Sequence, residues 1–304
     1  MIYLFPTFPM RERTFDKNRL PGFLALYDHW AAQAADVVAL DLECLLKPPP
    51  EDPAAAQQFT LQAHYACIIE SVAMAQWIEA HVGPCRCSAA YSMGLFAAVV
   101  HANAIGFQPV LELVRDICTA AHQNAATDAS AIGAVVDLPL KRLRELMVQA
   151  SPDLEVTDHY GANTVLFTGL RQPVTAVLDQ ALAEGASSTR LIPITAPFHT
   201  TALLAIEPAI AAALDRTRVQ APSWPILSSI TQKLLVTEND IRSEIRRNAS
   251  RPMNWFATMK VAVALQEAGM VESGASIALT ELARDLFPGA CTFRDFRDLQ
   301  AVNG

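Results

Sequence analysis

The chain reads as an α/β protein: a large unit built on a parallel sheet wrapped by helices, with a small ferredoxin-like unit inserted into it. Three observations carry this. Over the first ~125 residues, short β-rich runs alternate with amphipathic helical runs, the pattern of a parallel sheet covered by helices. Between residues 131 and 194 the rhythm becomes strand, helix, strand, strand, helix, strand, which is the ferredoxin-like order. The length of 304 residues, with 52% hydrophobic and 18% charged, suits a compact globular chain with a sizeable core rather than a disordered or fibrous one.

The elements follow in order. Residues 2–5 are a short apolar run and form the first strand. Pro48 to Pro50, followed by Glu51, Asp52 and Pro53, make a stiff loop. Residues 54–80 carry helical periodicity, with a break expected near Leu61 and Gln62. Residues 85–89 form a strand and 93–104 a strongly apolar helix, and the two meet at Ser92. The inserted unit has strands at 132–138, 154–159, 165–169 and 189–194, with helices at 140–149 and 174–183. The large unit therefore comprises 1–127 and 196–304, and the small one 128–195.

The formal charge of −8 repels phosphate backbones and anionic lipid surfaces, which argues against nucleic-acid and peripheral-membrane roles. The N-terminus runs from a short apolar stretch straight into Pro6, unlike a signal peptide, and no run of ~20 apolar residues spans a bilayer. The six cysteines (Cys44, Cys67, Cys85, Cys87, Cys118, Cys291) form no paired C-x-x-C knuckles, so reduced thiols in a cytoplasmic protein are expected, with no metal. Cys85 and Cys87 form a lone C-x-C, read as alternation along a buried strand.

Ser92, in Ala90-Tyr91-Ser92-Met93-Gly94, sits at a sharp turn from strand to helix, where its hydroxyl is exposed in the manner of an α/β-hydrolase-like nucleophile elbow. The backbone N–H of Met93 is placed to donate to the oxyanion of a tetrahedral intermediate, an interaction worth on the order of 3 kcal/mol. Gly94 supplies the small residue that such an elbow needs two places after the serine, although Ala90 replaces the first glycine of G-x-S-x-G. On its own the motif reads equally well as a serine that caps a helix. A serine nucleophile needs a base, and His199, in a loop after the last inserted strand, is the histidine placed to reach the cleft between the units. An isolated histidine after a proline turn is also an ordinary surface residue. His29, His64, His81, His101, His122 and His159 lie in helices, at helix ends or in the inserted sheet, and carry no such signal.

Taken together, these residues resemble the malonyl-CoA:acyl-carrier-protein transacylases and the acyltransferase domains of polyketide synthases. The resemblance covers nearly the whole chain in six blocks: the opening strand ending Phe5-Pro6, Leu61-Gln62-Ala63, the serine elbow, 165–169, Phe198-His199, and Arg251-Pro252-Met253-Asn254-Trp255. It implies a ping-pong reaction in which Ser92 attacks an acyl thioester while His199 takes and returns the proton. CoA and an acyl carrier protein would be the thiol partners, with no permanently bound cofactor, in fatty-acid or polyketide biosynthesis. The resemblance puts Asn248 where the family has a glutamine whose carbonyl orients the histidine. It puts Phe8 where a main-chain N–H supplies the second oxyanion donor. A monomer is expected.

The departures concern the acyl group. Malonyl-selective members carry an arginine whose planar fork binds the free carboxylate, and the gap-free count from Ser92 places Ile117 there. Arg115, two residues earlier, lies roughly 200° around an ideal helix and points away. An unpaired malonyl carboxylate beside an apolar side chain costs several kcal/mol, so an uncharged acyl group is expected. Phe198 matches the bulky residue of members that exclude α-branches, which favours a linear chain. Tyr91 and Gln62 are the remaining expected substrate-binding residues, and Tyr91 and Leu95 stand where the family has histidine and glutamate. Arg242, Arg246, Arg247 and Arg251 form a basic cluster suited to an acidic carrier or to CoA phosphates, or a solvated helix face. Two other readings use the same residues: a hydrolase that clears acyl groups from carriers, and a non-catalytic carrier-binding scaffold.

Overall fold

The computed structural model describes residues 1–7, 16–124 and 130–303. The large unit opens with β1 (Ile2–Phe5), α1 (Phe23–Ala35), α2 (Pro53–His81), β2 (Cys87–Ala90), α3 (Gly94–His101) and α4 (Phe107–Asn124). The next stretch holds β3 (Ser130–Val136), α5 (Leu140–Ala150), β4 (Glu155–His159), β5 (Thr164–Leu170), α6 (Arg171–Ala183) and β6 (Ser188–Pro193). The chain then runs through α7 (Glu207–Asp215), β7 (Ile226–Leu227), β8 (Leu234–Leu235), α8 (Glu238–Asn248) and α9 (Trp255–Ala264). It ends with β9 (Gly269–Glu272), α10 (Ala278–Leu286), β10 (Thr292–Arg294) and α11 (Phe296–Asn303).

Two sheets result. The larger has the order β10-β9-β1-β2-β7-β8, parallel throughout except for the β7–β8 pair. Its central strand is buried on both faces, as parallel strands under helices are. Tyr3 and Phe5 enter one core with Trp77, Phe96 and Val114, while Ile2 and Leu4 enter another with Trp255, Met259 and Leu279. The smaller sheet is antiparallel, in the order β4-β5-β3-β6, and has its own core around Leu143, Phe167, Val177 and Leu178.

One expectation fails here. Residues 53–81 form a single unbroken helix of 29 residues, started by Asp52, whose carboxylate accepts from Ala55 N–H at 2.9 Å. The lapse in periodicity near Gln62 has another cause. From Gln62 to Ile78 almost every position is buried, so the helix lacks a polar face to keep the period.

The small sheet is tied to the large unit beside the elbow. Met253 N–H donates to the Thr157 carbonyl at 2.8 Å, and Asp158 bridges Met253 in parallel pairing. The Asp158 carboxylate accepts from Trp255 N–H at 3.0 Å and from the Tyr91 hydroxyl at 2.9 Å, so one buried side chain joins β4, the start of α9 and the residue before Ser92.

Candidate active site

β2 delivers the chain to Ser92 and α3 carries it away, and the reversal puts Ser92 in the left-handed region with φ 52°. Such a backbone costs on the order of 1–3 kcal/mol in a residue with a side chain and persists only where the surroundings hold it. Here β1 holds it, since Tyr91 N–H donates to the Phe5 carbonyl at 2.9 Å. Gly94 is required by the same approach: a Cβ there would lie 2.3 Å from the Phe5 oxygen and 2.6 Å from that of Pro6.

His199 reaches the elbow from the loop after β6, also with a left-handed backbone, φ 63°. Its N–H donates to the Ala249 carbonyl at 2.7 Å, which fixes the loop against the end of α8. Nε2 lies 2.7 Å from Ser92 Oγ, so with the ring proton on Nδ1 the serine hydroxyl donates to Nε2. His199 is 8% exposed. Burial lowers its pKa to about 4, opposed by the backbone carbonyls of Arg251 and Asn248, and the imidazole is therefore neutral at pH 7. Nδ1 is left to the two backbone carbonyls, and among the described residues no carboxylate hydrogen-bonds it.

Two further expected residues, Asn248 and Met93, meet the elbow here. Asn248, at the end of α8, donates from its amide to the Ser92 carbonyl at 3.4 Å, while its own carbonyl faces the His199 ring. Met93 N–H projects from the first turn of α3 and donates to Thr7 Oγ1 at 3.1 Å. Phe8 lies outside the described residues. Phe198 is half-buried and packs against the main core, and Ile117 is 2% exposed on the inner face of α4. Arg115 projects from the outer face and pairs with Asp116 at 3.3 Å.

Two expected substrate-binding residues are used otherwise. Both ends of the Gln62 amide serve the backbone: Nε2 donates to the Ala39 carbonyl at 2.7 Å and Oε1 accepts from Asp41 N–H at 2.8 Å. Gln62 thus clamps the 39–41 turn onto α2. Tyr91 turns its hydroxyl to Asp158 and its ring edge to Tyr160 and Trp255, and works as a strut between the units. Leu95 is buried in the main core. The basic cluster is largely neutralised: Arg242 binds Glu238 at 2.7 Å and the Leu214 carbonyl at 2.8 Å, and Arg246 and Arg251 flank Glu207.

Asp158 and Thr7 join the site without a sequence signal for either role. Burial pushes the Asp158 carboxyl up to about 7 against its two donors, and it raises the Tyr91 phenol well above its ordinary value. A strand-borne aspartate in the inserted sheet carries no local motif. Thr7 was detectable only as the residue that follows the strand packed on the elbow. Among the described residues, no group of three His, Cys, Asp or Glu side chains is placed for a metal ion, and no helix is long and apolar enough to cross a membrane.

No protein-family model matches the chain. A malonyl CoA-acyl carrier protein transacylase of Bacillus subtilis is 22% identical over 201 residues, 65% of this chain, which spans about half of that relative's length. One of Haemophilus influenzae is 24% identical over 279 residues, 89% of this chain and 84% of its own. The solved transacylase of Coxiella burnetii has the same fold, with a TM-score of 0.83 at 20% identity over 97% of this chain and 92% of the other. A malonyl-transacylase solved in complex with a type II polyketide synthase acyl-carrier protein matches with a TM-score of 0.79 at 20% identity, over 97% of this chain and 94% of that one. In sequence over most of its length and in fold over nearly all of it, this chain is similar to the malonyl CoA-acyl carrier protein transacylases.

Proposed function

We propose that this chain is a cytoplasmic S-acyltransferase that moves an uncharged, linear acyl group between CoA and an acyl carrier protein in fatty-acid or polyketide-type biosynthesis. The observation that carries the reading is the 2.7 Å contact between Ser92 Oγ and His199 Nε2 at a left-handed elbow. In the first half-reaction Ser92 Oγ adds to the thioester carbonyl carbon as its proton passes to Nε2 of His199. The carbonyl π pair moves to oxygen, where Met93 N–H is aimed. Collapse breaks the C–S bond, and the leaving thiolate takes the proton from His199. An ester on Ser92 remains. The second thiol then attacks this ester by the reverse sequence, with His199 first as base and then as acid.

His199 is suited to this role by its surroundings. A ring kept neutral by burial accepts a proton at neutral pH without first losing one, and Asn248 steadies the serine backbone beside it. The roles given to Ser92, His199, Asn248 and Met93 rest on this geometry, and the division into a large unit of 1–127 and 196–304 and a small unit of 128–195 follows the two sheets. The preference for an uncharged acyl group rests on Ile117, buried on α4, and on Arg115 facing away. The carrier partner is supported by the related transacylase solved with its carrier protein.

The reading is tested by incubating the protein with butyryl-CoA and a carrier protein bearing a phosphopantetheine thiol, and following butyryl-carrier and free butyrate together. Butyryl-carrier formed in the wild type and lost in Ser92→Ala supports transfer. Free acid without loaded carrier would make the protein a hydrolase, and no turnover with acetyl-, butyryl-, malonyl- or longer acyl thioesters would make it a scaffold.

A further inference from the structure

We infer that the side-chain hydroxyl of Thr7 donates a hydrogen bond to the oxyanion beside the Met93 N–H; this rests on the acyl-transfer reading above. The first-turn amides of α3 show why. Gly94, Leu95 and Phe96 donate to the carbonyls of Tyr91, Ser92 and Met93, within the turn itself. Met93 N–H alone among these four reaches out of the turn, and it ends on Thr7 Oγ1 at 3.1 Å. The amide that follows the nucleophile marks where negative charge gathers, and Thr7 Oγ1 stands beside that point.

Thr7 is held there from behind. The Pro6 carbonyl accepts from Cys67 Sγ on α2 at 3.4 Å, Gly94 packs on the carbonyls of Phe5 and Pro6, and a Cβ on Gly274 would lie 3.0 Å from the Pro6 ring. The first residue beyond β1 is therefore fixed against the elbow. Oγ1 accepts the Met93 N–H through a lone pair, which leaves its own hydrogen to donate. Two donors 3.1 Å apart fit around one oxygen at ~2.8 Å from each, a normal oxyanion geometry. As Ser92 adds to the carbonyl carbon, the new alkoxide draws Met93 N–H from Thr7 and takes Thr7 O–H as its second bond. Thr7 keeps its proton throughout; it is a donor, not an acid.

The test is single-turnover acylation by butyryl-CoA, followed by rapid quench and intact mass, in the wild type, Thr7→Val and Thr7→Ser. Thr7→Val is expected to slow the acylation step by ~10²-fold, the usual loss for one oxyanion donor, with the half-saturating butyryl-CoA concentration changed by less than ~3-fold. Thr7→Ser, which keeps the hydroxyl, restores the rate to within a few-fold and shows that loss of packing is not the cause. An undiminished or faster rate in Thr7→Val, as expected if the hydroxyl only plugs the hole, overturns the inference, as does a fall in Thr7→Ser equal to that in Thr7→Val. If the wild type acylates and only the Thr7 result fails, this inference falls alone; a wild type that never acylates removes the acyl-transfer reading with it.

Discussion

Ser92 and His199 stand 107 residues apart in the chain, each with a left-handed backbone, and their side chains meet with Oγ 2.7 Å from Nε2. Each such backbone carries a cost on the order of 1–3 kcal/mol in a residue with a Cβ. Two of them converging on one short contact are hard to attribute to helix capping, since a cap needs neither the partner nor the strain.

The buried histidine sets a pH dependence. A base must be neutral to accept a proton, and burial lowers the His199 pKa from its ordinary 6.5 to about 4. The acylation rate constant is expected to stay level from pH 8 to about 5 and to fall tenfold per unit below about 4. Stopped-flow or quench measurements across that range check it. A limb centred near 6.5 would show that the ring is solvated during catalysis.

Asp158 predicts an opposite trend in stability. Its folded pKa is about 7, raised by burial, against about 3.9 for an unfolded aspartate, so between those values the native state holds the proton more tightly. Stability from this group is therefore full below about pH 4, falls as pH rises to about 7, and is level above. Tyr91, Tyr160 and the Trp255 amide face it. The unfolding free energy of the wild type minus that of Asp158→Asn, measured by urea titration, should fall across that window. A difference independent of pH would contradict the assignment.

Gly94→Ala is expected to disrupt the elbow. A methyl group 2.3 Å from the Phe5 oxygen must push β1 or α3 aside, and overpacking of this kind costs on the order of 3 kcal/mol. The urea midpoint should drop and acylation should be lost beyond what unfolding explains. An alanine variant with unchanged midpoint and rate would mean that the strand and helix are looser than this contact implies.

For the acyl group, acylation by butyryl-CoA should exceed that by malonyl-CoA on the order of 10²-fold, because a buried Ile117 leaves the malonyl carboxylate unpaired. Ile117→Arg is expected to shift the ratio toward malonyl even if total activity falls, since a ratio is insensitive to the folded fraction. Equal labelling by both donors would remove Ile117 as the determinant.

What was legible in the sequence was local or serial. The strand at Ile2–Phe5, the turn at Ser92 and the order of the inserted unit each write their pattern into neighbouring residues, and the structure has them within a few residues of the expected places. The pairing of Ser92 with His199 was reached through the order of six blocks, because no local pattern links positions so far apart. The contacts of Gln62 were not legible, because a buried polar residue in a helix looks the same in sequence whether it meets a substrate or, as here, hydrogen-bonds the backbone of Ala39 and Asp41. The contacts of Thr7 and Asp158 were not legible for a related reason: their partners, Met93 for one and Tyr91 with Trp255 for the other, are set by how separate elements pack.

The central claim is that Ser92 carries the acyl group. Intact-protein mass spectrometry after mixing with butyryl-CoA, followed by peptide mapping, tests it most directly. The account predicts one butyryl group per chain on the peptide containing Ser92, discharged by an added carrier thiol and absent in Ser92→Ala and His199→Ala. A butyryl adduct that persists in Ser92→Ala, or no adduct on any peptide with any acyl donor, would contradict it.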